Sequence, residues 1–124
     1  MKKILVVEDD YDNRRIVAKL LAIDGYRVVE ATDGLEALSQ VQAERPDLIL
    51  MDLALPNLDG WEATRRLKKD PRTHRIPVVA LTAVAMRGDE ERARAAGCDD
   101  YLSKPARPAA IRAMVKKYIG GAAC

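Results

Sequence analysis

At 124 residues with 48% hydrophobic side chains, the chain is sized for one compact domain around one core. Lys and Arg number 21 against 19 Asp and Glu, and a net charge near +2 is too balanced to mark a nucleic-acid binder. Cys98 and Cys124 form no CxxC pair, which argues against a disulfide framework and suits a reducing cytoplasm; the apolar run Ile4–Val7 is too short for a signal peptide or a membrane span.

Short apolar, β-branched runs alternate with amphipathic stretches along the chain. Ile4 to Val7 reads as a strand buried on both faces. A helix follows, with an apolar stripe of Ile16, Val17, Leu20 and Leu21 closed by Gly25. Tyr26 to Val29 is a weaker strand. Asp33-Gly34 opens a second helix, striped by Leu35, Leu38 and Val41 and ended before Pro46. Leu48 to Met51 is a second strongly apolar strand, and Leu58 to Lys69 a helix closed by Asp70-Pro71. The cluster Arg65, Arg66, Lys68 and Lys69 on that helix reads as a solvated face. Pro77 to Leu81 is another buried strand, Arg87 to Ala96 a helix stopped by Gly97, and Tyr101-Leu102 a weak strand. Ile111, Met114, Val115 and Tyr118 stripe a final helix. Residues 1–119 read as one domain and 120–124 as a short tail.

Five strands alternating with five helices predict an α/β, doubly wound, (βα)5 flavodoxin-like fold with a five-stranded parallel sheet. The expected strand order is 2-1-3-4-5, which places ligands beyond the carboxyl ends of strands 1 and 3.

The residues at those ends carry the chemistry. The first strand runs into Glu8-Asp9-Asp10 and the third into Asp52. Carboxylates meeting there repel one another and raise their pKa values unless a hard cation such as Mg²⁺ relieves them. Asp10 or Asp12 serves equally well as a helix cap. Asp52 ends an apolar strand and is followed by Leu53-Ala54-Leu55-Pro56, so it is not at a helix start. The fourth strand supplies the Thr82 hydroxyl, and the segment Tyr101-Leu102-Ser103-Lys104 an ammonium. A carboxylate nucleophile, a cation, a hydroxyl and an ammonium form a phosphoryl-transfer set.

Five segments carry a recognisable pattern in order: Leu5-Val6-Val7-Glu8-Asp9, Pro46-Asp47-Leu48-Ile49-Leu50-Met51-Asp52, Leu55-Pro56-Asn57-Leu58-Asp59-Gly60, Pro77-Val78-Val79-Ala80-Leu81-Thr82-Ala83 and Tyr101-Leu102-Ser103-Lys104-Pro105. With Asp33-Gly34-Leu35-Glu36-Ala37-Leu38, they give the chain a clear resemblance to receiver domains of bacterial two-component systems. The stretch from Thr82 to Gly97-Cys98 is most similar to single-domain regulators of the DivK type and to receiver modules of hybrid sensor kinases.

The resemblance implies that Asp52 is phosphorylated. It also implies that Asp9, Asp52 and the Ala54 carbonyl bind Mg²⁺, with Glu8 acting through water. Thr82 would grip a phosphoryl oxygen and Lys104 pair with another. Tyr101 would alternate between exposed and buried positions, and the Lys104–Pro105 bond would be cis. The implied partners are a histidine kinase or histidine phosphotransfer protein. A downstream protein would dock on the face of the fourth helix, fifth strand and fifth helix, with no nucleic acid or membrane and the chain a monomer or weak dimer. The resemblance implies a phosphoacceptor switch that catalyses only its own phosphorylation and dephosphorylation. Glu8 stands where Asp is common, and Ala54 stands where fast-hydrolysing members carry a polar residue.

Three rivals fit less well, one of them a degenerate receiver serving only as a scaffold, against which stands that no key residue is missing. A haloacid-dehalogenase-like phosphatase needs a second acid at position 54. A flavodoxin needs a phosphate-binding loop where Glu8-Asp9-Asp10 would repel it.

Overall fold

The computed structural model describes residues 2–82, 89–104 and 106–120. The expectations placed on Ala83, on a helix start at Arg87, on the Arg92 and Ala93 side chains, on the Lys104–Pro105 bond and on Cys124 lie outside the described residues.

The elements run β1 (Lys3–Val7), α1 (Tyr11–Ile23), β2 (Arg27–Ala31), α2 (Gly34–Glu44), β3 (Leu48–Asp52), α3 (Gly60–Lys69), β4 (Val78–Thr82), α4 (Asp89–Ala96), β5 (Asp100–Ser103) and α5 (Pro108–Ile119). The strands form one parallel sheet in the order β2-β1-β3-β4-β5, as the alternation predicts.

Helices cover both faces, so the central strands bury every side chain from Leu48 to Asp52 and from Val78 to Thr82. Leu5, Val7, Ile49 and Met51 face one core with α2 and α3. Ile4, Val6, Leu48 and Leu50 face another with Leu21 of α1 and with Ile111 and Val115 of α5. Each fully buried aliphatic side chain contributes about 1.5–3 kcal/mol.

Local chemistry sets the helix ends. Asp10 caps α1, accepting from the Asn13 N–H at 2.9 Å, and Gly25 at φ 96° follows its end. Asp33 caps α2 by accepting from the Glu36 N–H, and the Glu36 carboxylate accepts in turn from the Thr32 N–H. Asp59 caps α3, so that helix begins at Gly60 and not at Leu58.

The apolar stripes need two corrections. Ile16 is 64% exposed and Leu35 53% exposed. The buried positions on α1 are Ala18 and Leu21, and on α2 Gly34, Ala37 and Val41. Ile16 lines an open cavity of about 310 Å³ between α1 and α5, together with Val17, Ala106 and Ile111. Leu35 yields to Gly34 because α2 approaches so closely that a Cβ there would lie 2.0 Å from the Leu58 carbonyl oxygen. Lys68 departs from the solvated cluster: its ammonium donates to the Ile76 carbonyl at 2.8 Å and to Asp99 at 2.8 Å.

Candidate functional site: an acidic cleft at the sheet's carboxyl edge

Parallel pairing aligns the strand ends. Val7 lies beside Met51, so the next residues, Glu8 and Asp52, arrive side by side. Carboxylate oxygens of Glu8, Asp9 and Asp52 all lie within 4.8 Å of one another. Glu8 and Asp52 are each only 3% exposed, whereas Asp9 faces solvent.

Asp52 is held from two sides. The Ala54 N–H donates to its Oδ1 at 3.1 Å, and the Lys104 ammonium sits 3.1 Å from its Oδ2. Gly60 lets α3 pack directly against this strand end; a Cβ there would lie 2.3 Å from the Asp52 carbonyl oxygen. Ala54 is exposed at the start of the loop between β3 and α3. That loop is tied to α2 through the Asn57 amide, which donates to Asp33 at 2.7 Å.

Lys104 also donates to Glu8, so one ammonium serves two buried carboxyl groups. Burial and hydrogen bonding with Asp52 push the Glu8 carboxyl up to about 7, against the opposing pull of Lys104. Burial alone would lower the Lys104 pKa, but its bonds to Glu8 and Asp52 outweigh it and hold the ammonium above its ordinary value. Two buried carboxyls facing one ammonium leave negative charge in excess, and that imbalance is what a divalent cation would relieve. This donor set of hard oxygens fits Mg²⁺.

Thr82 ends β4 at 8% exposure, one residue beyond Leu81, the partner of Asp52. Its carbonyl accepts from the Lys104 N–H at 2.6 Å, joining β4 to the segment that carries the ammonium. Tyr101 lies on β5 opposite Ala80, half-buried against the core on the α2–α3 side. Glu8, Asp9, Asp52, Ala54, Thr82 and Lys104 therefore gather at one edge of the sheet, and Tyr101 lies farther back on β5.

The chain is similar to known proteins in sequence and fold. The family profile for the response regulator receiver domain matches residues 4–116. The chain belongs to this family. The polar-differentiation response regulator DivK of Brucella anthropi is 44% identical over 121 residues, covering 98% of each chain. Among solved structures, the receiver domain of the sensor histidine kinase PA1611 from Pseudomonas aeruginosa superposes with a TM-score of 0.89 at 40% identity. The match covers 97% of this chain and 98% of that one, which holds a magnesium ion in its active-site cleft. The Vibrio cholerae chemotaxis protein CheY4 gives a TM-score of 0.90 at 28% identity, covering 96% and 99%. The receiver domain is a module of two-component signalling, and a phosphorelay function fits this one. Among the described residues of this receiver, no helix is long and apolar enough to cross a membrane.

Two residues that brace the receiver's cleft from outside escaped the sequence reading. Arg14 of α1 donates from Nη1 to the Glu8 carbonyl at 3.1 Å and from Nε to Glu30 of β2 at 3.0 Å. An arginine among the polar positions of an amphipathic helix reads as solvated. The available signal was Glu30, a charge between Val29 and Ala31 on a half-buried strand, which calls for a partner.

Proposed function

We propose that this receiver accepts a phosphoryl group on Asp52 from a histidine kinase or histidine phosphotransfer protein and transmits the change to a protein partner. The observation that carries the reading is the approach of the Glu8, Asp9 and Asp52 carboxylates within 4.8 Å, with the Lys104 ammonium 3.1 Å from Asp52. Residues 1–119 act as the receiver unit, with 120–124 a tail.

The Asp52 carboxylate attacks phosphorus as the bond to the donor imidazole breaks, giving an acyl phosphate and a free imidazole. Its strand-end position and the Ala54 N–H orient it. Glu8, Asp9, Asp52 and the Ala54 carbonyl would hold Mg²⁺, Glu8 through water; when bound, Mg²⁺ supplies positive charge against the carboxylates and the phosphoryl oxygens. Lys104 pairs with one phosphoryl oxygen and the Thr82 hydroxyl with another. Ala54 offers no polar side chain to orient an attacking water, which argues against fast self-dephosphorylation. The protein catalyses only its own phosphorylation and dephosphorylation, works in the cytoplasm as a monomer or weak dimer, and binds no nucleic acid.

The signal leaves through α4, β5 and α5. Drawing the Thr82 hydroxyl toward the phosphoryl group vacates space into which Tyr101 turns, and this shifts a pre-existing equilibrium at that face. In α4, Ala95 is exposed and Ala96 buried, so these alanines give the helix little apolar anchorage.

The test is incubation with a small phosphodonor. Labelling that requires Mg²⁺ and Asp52 supports the reading. Labelling unchanged by chelator, or undiminished in Asp52→Asn, refutes it.

A further inference from the structure

We propose that Arg14 is a positioning residue for the acidic cleft, fixing the Glu8–Asp9 peptide so that the carboxylates converge; the inference rests on the metal-binding reading above. β1 ends at Val7, one residue before the cleft. The Glu8 N–H is held by the Ala31 carbonyl at 3.0 Å. The Glu8 carbonyl, which belongs to the peptide leading into Asp9, is held by Arg14 Nη1 at 3.1 Å.

Arg14 is itself immobilised. Its Nε donates to Glu30 at 3.0 Å, and its guanidinium carbon lies 5.4 Å from the centroid of the Tyr11 ring. Its side chain is only 12% exposed. Two donors of one planar fork thus bridge β2 to the end of β1, an arrangement a lysine ammonium cannot reproduce.

The plain alternative is a surface ion pair with Glu30, and the neighbouring Arg15 embodies it. Arg15 pairs with the same carboxylate and is 38% exposed, and among the described residues it makes no hydrogen bond to Glu8. The two arginines therefore separate ion pairing from positioning.

The experiment measures Mg²⁺ affinity by calorimetry on the full chain, with metal-free amide exchange at Asp9 as the second readout. Arg14→Ala and Arg14→Lys are each expected to weaken Mg²⁺ about 10-fold, the effect of removing a group that orients a metal ligand. Both are expected to speed Asp9 exchange. Arg15→Ala stays within about twofold of wild type. Wild-type affinity in Arg14→Lys, or equal losses in Arg14→Ala and Arg15→Ala, overturns the proposal. Failure of the wild-type protein to bind Mg²⁺ refutes the metal-binding reading instead; unchanged Asp9 exchange in Arg14→Ala then overturns the positioning role on its own.

Discussion

Without metal, the cleft makes the protein less stable as pH rises through neutrality. Glu8 titrates near 7 in the folded chain and near 4.5 when unfolded, so the folded state binds the extra proton between these values. A raised carboxyl pKa contributes stability that is fully present below 4.5 and lost as pH climbs through 7. At about 1.4 kcal/mol per pH unit, the gap corresponds to about 3 kcal/mol, of which about 2–3 kcal/mol disappears between pH 5 and pH 8. Urea unfolding in chelator at pH 5, 6, 7 and 8 measures the loss. Glu8→Gln removes the titration and should flatten the profile, which subtracts what other groups contribute. Proton and cation relieve the same excess negative charge, so millimolar Mg²⁺ should restore more stability at pH 8 than at pH 5. A wild-type profile flat from pH 5 to pH 8, or an equal slope in Glu8→Gln, refutes the assignment of the cleft's charge imbalance to Glu8.

Three further outcomes follow from the same geometry. Gly60→Ala places a methyl 2.3 Å from the Asp52 carbonyl oxygen, so α3 must shift; the expected cost is about 1–3 kcal/mol by denaturation, with weaker Mg²⁺ binding by calorimetry. Lys104→Gln removes the ammonium that serves both Glu8 and Asp52, and metal-free stability at pH 8 should fall by about 3 kcal/mol, partly recovered with Mg²⁺. Thr82→Ala should still accept phosphate at Asp52 but lose most of the NMR shift changes across residues 89 to 118; a response equal to wild type would contradict the coupling through Thr82.

The sheet was legible because β1, β3 and β4 are buried on both faces, which produces the unbroken runs Ile4–Val7, Leu48–Met51 and Val78–Leu81. β2 and β5 lie at the edges, bury less, and left weaker traces whose bounds drifted: the second strand begins at Arg27, while Tyr26 is buried before it and donates its hydroxyl to the Gly120 carbonyl. Helical stripes were read by counting large apolar residues, and this failed where small ones make the contact. Gly34 and Ala37 are buried because α2 lies close to its neighbours, and Leu35 is left outside. In the cleft, the residue types and the strand order were enough to bring Glu8, Asp9 and Asp52 together. The Arg14 bridge was not legible, because it depends on where a turn of α1 falls relative to the end of β1 and to Glu30 on β2.

The central claim is that Asp52 carries the phosphoryl group, and mapping the modified residue tests it most directly. The protein is exposed to a small acyl-phosphate donor with Mg²⁺, trapped by reduction of the acyl phosphate, digested and read by tandem mass spectrometry. Modification confined to Asp52, and absent in chelator and in Asp52→Asn, is the predicted result. Modification at Asp9 or at another residue with Asp52 intact, or an unmodified wild-type protein under conditions that phosphorylate another receiver, would contradict it.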